Sequence, residues 1–146
     1  MTLPRRRLIY LLADGAHARF VERSTDTGHF VTVNRIDGTE ALEAVRAEQR
    51  DEPAGRSVES VGGARHAVGR EDAYRRAKAA FASRAATALN KMVERTPVDG
   101  VVLVAPSRLI PVLRAHVSPR VPIAKTVSKN LIKTPDHELG EWLTTV

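Results

Sequence analysis

Two groups of residues in this chain have the types and spacing for chemistry. The first is basic: Arg56, Arg65, His66 and Arg70 fall close together inside the stretch 51–70. Guanidinium groups around an imidazole suit a phosphate, and His66 could pass a proton there. The second group is dispersed: Asp14-Gly15, Arg19, Pro106-Ser107-Arg108 and Lys129-Asn130. Brought to one sheet edge, Asp14 and Lys129 would form a pair able to contact an anion or nucleotide. A plainer reading stands beside each group. Asp-Gly is a turn by its own chemistry, Lys129 can simply pair with a carboxylate, and a basic loop can simply be solvated.

Other chemistries are excluded or unsupported. His17, His29, His66, His116 and His137 show no His-x-x-x-His spacing, and neither Gly-x-Ser-x-Gly nor Gly-x-x-x-x-Gly-Lys occurs. The absence of cysteine excludes disulfides, thiolate catalysis and Cys-ligated zinc. No cofactor and no metal are expected.

These residues need a scaffold, and 146 residues suit a single domain, 1–146, with a real core. No apolar run approaches the roughly 20 residues that cross a bilayer, so no membrane span is expected. The basic start, Met1 to Arg7, leads into an apolar run that reaches Asp14 quickly and reads as a first strand, not a signal peptide. A cytoplasmic location is the expectation. The net charge of +6 is uneven: residues 53–95 carry nine Lys/Arg against four Asp/Glu. That excess suits RNA, phosphates or an anionic membrane, or serves solubility alone. With aromatics at 4%, stacking platforms are scarce, so any RNA contact would be backbone-led and salt-sensitive.

The elements follow from periodicity. Arg7–Ala13 and Gly100–Ala105 are near-continuous apolar runs, the mark of strands buried on both faces. Ala16–Glu22 alternates as a half-buried strand, and Phe30, Thr32, Asn34 and Ile36 alternate as one face of a third. Thr39–Gln49 suits a short helix. Residues 51–70 hold four glycines and no periodicity, which predicts a mobile surface loop. Glu71–Arg95 carries a helical stripe from Tyr74 to Met92. Pro106 ends the central strand, and Ser107 can cap a helix over Leu109–His116. Ile123–Val127 reads as a last strand. Thr134 and Pro135 then read as the cap and first residue of a terminal helix bearing Leu139, Trp142 and Leu143.

Three antiparallel strands followed by two right-handed crossovers give an α/β fold with a mixed five-stranded sheet of order 3-2-1-4-5 and helices packed on it. This is a ribonuclease-H-like arrangement. It places Asp14, Ser107 and Lys129 at the carboxyl ends of the parallel strands, where such sheets bind ligands. A metal-dependent nuclease needs several clustered carboxylates, and only Asp14 is so placed.

Three ordered blocks carry a family resemblance. Ala13-Asp-Gly-Ala-His-Ala-Arg19 resembles the Ala-Asp-Gly-x-x-Ala-Arg signature of the bacterial host attachment protein family. Val102–Leu109 is similar to its middle block, and Val127–Leu139 to its closing block, where Lys129-Asn130-Leu131 stands for the usual Lys-Asp-Leu. The resemblance implies a fold similar to the middle domain of class-1 peptide release factors. There a Gly-Gly-Gln loop triggers peptide release; here Gly62-Gly63-Ala64 lacks the Gln. The expectation is therefore a non-catalytic, release-factor-like module that contacts RNA or the ribosome through Arg56, Arg65, His66 and Arg70. The alternatives are a phosphoester or nucleotide hydrolase at the strand-end pocket, and a protein-interaction factor in attachment.

Overall fold

The computed structural model describes residues 6–24, 26–50 and 62–144, with residues 49, 50, 62–68 and 70 described in their backbone alone. The apolar runs form the expected strands: β1 (Leu8–Ala13), β2 (His17–Arg23), β3 (Phe30–Asp37), β4 (Gly100–Val104) and β5 (Ile123–Val127). They make one sheet in the order β3-β2-β1-β4-β5, as expected. β1 is antiparallel to β2 and parallel to β4; β2 is antiparallel to β3, and β4 is parallel to β5.

Because side chains alternate along each strand, β1 and β4 feed two cores. Ile9, Leu11, Val101 and Leu103 face the helices α2 (Gly62–Arg95) and α3 (Ile110–His116), meeting Ala82, Ala85, Ala86, Leu89 and Leu113. The alanines let α2 lie close to the strands. Asn90 joins the two helices: its amide donates to the His116 carbonyl at 2.9 Å, and its carbonyl oxygen accepts the Ser118 N–H at 2.8 Å. Tyr10, Leu12, Val102 and Val104 face the other way, against Leu131, Leu139 and Leu143. That second face is covered by a 3-10 turn (Asp136–Glu138) and the five-residue α4 (Leu139–Leu143).

Four local expectations are corrected. First, the expected loop 51–70 is partly helix, because α2 begins at Gly62 and not near Glu71. Glycine costs only about 1 kcal/mol within a helix, and the buried stretch from Phe81 to Leu89 anchors the rest. Gly69 faces open space. Residues 51–61 lie outside the described residues. Second, β3 does not keep one alternating face. Phe20 pairs with Asn34 while Val21 pairs with Thr32, leaving Val33 as the extra residue of a β-bulge. Phe30 joins the second core, whereas Ile36 packs against the first. Third, Ser107 is not the cap of α3; a turn closed by Leu109 N–H to the Pro106 carbonyl (2.9 Å) precedes it, and Leu109 is the residue before the helix. Fourth, Thr134 does not cap the terminal helix. Pro135 stays extended (φ −62°, ψ 151°) ahead of the 3-10 turn, because Thr134 gives its carbonyl to another partner, described below.

The helix α1 (Thr39–Arg50) starts as expected. The Asp37 carboxylate accepts both the Thr39 N–H (2.8 Å) and its hydroxyl (2.5 Å), satisfying donors that a helix start leaves free. Between them, Gly38 donates its N–H to the Ala16 carbonyl at 2.6 Å, and a Cβ there would come within 2.3 Å of the Phe81 ring. At Gly15 the corresponding neighbour is the flexible stem of Lys78, 2.6 Å away. Gly38→Ala is therefore expected to lower the unfolding free energy by about 1–3 kcal/mol through overpacking, while Gly15→Ala lowers it by less. Urea denaturation of the two variants checks the ranking.

Candidate functional site

The strand-end rim lies where the topology puts it. β1, β4 and β5 end side by side, and the Ala105 N–H reaches the Val127 carbonyl at 3.1 Å. The side chains, however, have other employment. Asp14 Oδ1 accepts the N–H groups of Ala16 (2.8 Å) and His17 (2.7 Å), closing the β1–β2 turn. His17 Nδ1 sits 3.2 Å from the same oxygen. Lys129 does not meet Asp14: its ammonium stands 4.8 Å above the Trp142 ring, a cation–π contact. Asn130 turns its side-chain oxygen to the Ile132 N–H at 3.2 Å. Ser107 and Arg108 are exposed beside them. The rim is thus a set of turn-forming contacts, and the Asp14–Lys129 pair does not form.

Arg19 is the largest departure. A strand expected to be half-buried places this guanidinium at 3% exposure, on the second face of the sheet. One terminal nitrogen, Nη1, donates to the carbonyls of Leu131 (3.0 Å), Ile132 (2.9 Å) and Thr134 (2.6 Å). The other, Nη2, donates to Asp136 Oδ1 at 2.6 Å and to the Thr32 hydroxyl at 3.1 Å. Thr32 in turn donates its N–H and its hydroxyl to Asp136, at 2.9 and 2.5 Å. The bulge at Val33 matters here, since it puts Thr32 on this face. Arg19 therefore binds the chain's own C-terminal segment. Partial burial pushes the Asp136 carboxyl upward, but the Thr32 hydrogen bonds and the Arg19 guanidinium outweigh it and hold the carboxyl below its ordinary 3.8.

Of the expected loop cluster, Arg56 lies outside the described residues, and Arg65, His66 and Arg70 lie on the helical backbone of α2. The charge excess seen over residues 53–95 takes shape in the structure as a layer that extends beyond that stretch and that the sequence alone does not outline. Between Ala73 and Pro135 the chain has twelve Lys/Arg and only two acidic residues, Glu94 and Asp99. On α2, Arg75, Arg76, Lys78, Arg84, Lys91 and Arg95 are all exposed, and none forms an ion pair among the described residues. Arg84, Lys91 and Arg95 are spaced by seven and four, so they share the face of α2 turned away from the sheet. Arg108, Arg114 and Arg120 are exposed in and around α3, the other helix of the same layer. The signal lay in a scarcity of carboxylates, which no motif search would register. Among the described residues no three His, Asp or Glu side chains could hold a metal ion. No described helix is long and apolar enough to cross a membrane.

A family model described as "protein required for attachment to host cells" matches residues 10–143. The chain belongs to this family. No curated protein matches the chain. In this attachment-family chain the match runs from Tyr10 in β1 to Leu143, the last residue of α4, so it includes Arg19 and every acceptor of its guanidinium. The resemblance seen in Ala13–Arg19 thereby gains a physical reading: the Asp shapes a turn and the Arg fastens a distant segment.

The linkage sign follows from the lowered Asp136 carboxyl. The stability it lends is fully present above about pH 3.8, its ordinary value, and is lost as pH falls through the lower folded value. Asp136 is 38% exposed, so solvent screening limits the expected loss in Asp136→Asn to about 1 kcal/mol at neutral pH. Acid titration followed by circular dichroism should show that variant losing less further stability than the parent between about pH 5 and pH 2.

Proposed function

We propose that this attachment-family protein is a non-catalytic module that binds RNA, free or in the ribosome, through the basic helical layer formed by α2 and α3. The observation that supports it is the row of exposed cations that form no ion pair among the described residues, with Arg84, Lys91 and Arg95 along one exposed face. Surplus, solvent-exposed positive charge on a helix suits the phosphate backbone of a nucleic acid and reads shape before sequence. The aromatic content of 4% leaves phosphate contact, not base stacking, as the main source of affinity. A ribonuclease-H-like fold related to the middle domain of peptide release factors, and a cytoplasmic location, belong to the same proposal. A hydrolytic role draws no support from the strand-end rim, because Asp14 is occupied by turn amides and Lys129 by Trp142.

Binding to a structured RNA should weaken steeply as salt rises, since each neutralised phosphate releases counterions. Replacing Arg84, Lys91 and Arg95 together by Gln should reduce the slope of log affinity against log salt by about 2–3, near 1 per lost contact. Fluorescence anisotropy across a salt series, with ribosome co-sedimentation alongside, checks both. A flat salt response, or a slope unchanged in the triple variant, would overturn the proposal.

A further inference from the structure

On the opposite side of the sheet from the basic helices, an open cleft of about 500 Å³ lies between β3 and the segment Ile132–Asp136. Its charged lining is Arg19, Arg35, Lys133 and Asp136, and Ile132 and Pro135 supply apolar walls. The charges do not balance. Asp136 is already bound to Arg19 at 2.6 Å and to Thr32, whereas Arg35 and Lys133 form no ion pair among the described residues. Arg35 also pairs directly across the ladder with Arg19, two like charges in register. Such a pair is unfavourable by itself; Asp136 offsets the charge of Arg19, and that of Arg35 has no counterpart among the described residues. A concave surface concentrates that excess field toward one spot.

We infer that this cleft binds a phosphomonoester of about nucleotide size. The excess of two positive charges, Arg35 and Lys133, matches a group carrying roughly −1.5 to −2 at neutral pH. Arg35 can hold two phosphate oxygens with its planar fork, and Lys133 contributes a point charge from the facing segment. The Arg19–Asp136 contact, 2.6 Å long, joins β2 to the segment that forms the facing wall. The volume falls within the range of small-molecule clefts, and Ile132 and Pro135 offer surface to the organic part. This inference is independent of RNA binding, since its residues lie on the other side of the sheet from α2.

The test is a ¹H–¹⁵N titration of the full chain with three probes: inorganic phosphate, AMP and adenosine. Phosphate and AMP should give saturable shifts at Arg35 and across 132–136, AMP binding the more tightly, while adenosine gives none. Arg35→Gln and Lys133→Gln, both exposed and expected to fold as the parent does, should each weaken AMP at least about tenfold. The triple variant of Arg84, Lys91 and Arg95 should bind AMP as the parent does. Absence of shifts with phosphate and AMP, equal shifts with adenosine, or AMP affinity unchanged in both cleft variants would overturn the inference.

Discussion

The guanidinium of Arg19 sits on the face of the sheet that receives no long helix. One face is covered by thirty-odd residues of helix with an alanine-rich contact surface; the other by a few turns of chain ending in a five-residue helix. Leu131, Leu139 and Leu143 bury well, each contributing about 1.5–3 kcal/mol, but a segment this short cannot fix its own path by apolar contact alone. Arg19 supplies the direction. Three carbonyls and a carboxylate converge on one planar group, and each must approach from its own angle to share it. Removing a guanidinium from water is costly, and the return in stability is modest. What the contact adds is geometry: residues 131, 132, 134 and 136 are each held to a particular donor of one planar group.

The same interaction explains which parts of the fold were legible in the sequence. Sheet order and strand positions were readable because the apolar runs at Leu8–Ala13 and Gly100–Val104 are short, unbroken and bounded by Asp-Gly or Pro, as strands covered on both sides are. What covers them was half readable. A stripe at helical spacing announced α2, yet nothing in Lys129 to Glu138 announced a segment held by backbone carbonyls, since carbonyl acceptors have no residue signature. Arg19 was assigned to a ligand pocket for that reason. An arginine on an alternating strand looks available when its partners are main-chain atoms more than a hundred residues away.

The bulge at Val33 shows a second limit. Alternation from Phe30 to Ile36 continues across the extra residue, so the written pattern keeps its phase while the strand changes face. The change carries Thr32 to Asp136 and Arg35 to the cleft wall, and it separates both from Ile36 in the other core. In the sequence, charge shows as the cluster at 56–70 and as a net excess over residues 53–95, with no surface to assign either to. The basic layer is spread over two helices and a turn, and it became visible as one surface only after α2 and α3 were placed on the same face. The strand-end rim went the other way: its residues were rightly gathered at one edge, but Asp14 and Lys129 each found a nearer partner.

The distance along the chain between Arg19 and its acceptors in the C-terminal segment, 112 to 117 residues, sets an order of events during synthesis. β1, β2 and β3 precede the segment from Leu131 to Leu143 in the chain, so Tyr10, Leu12 and Val21 gain their cover only once that segment exists. Until the carbonyls of Leu131, Ile132 and Thr134 are in place, water must serve the donors they satisfy in the folded chain.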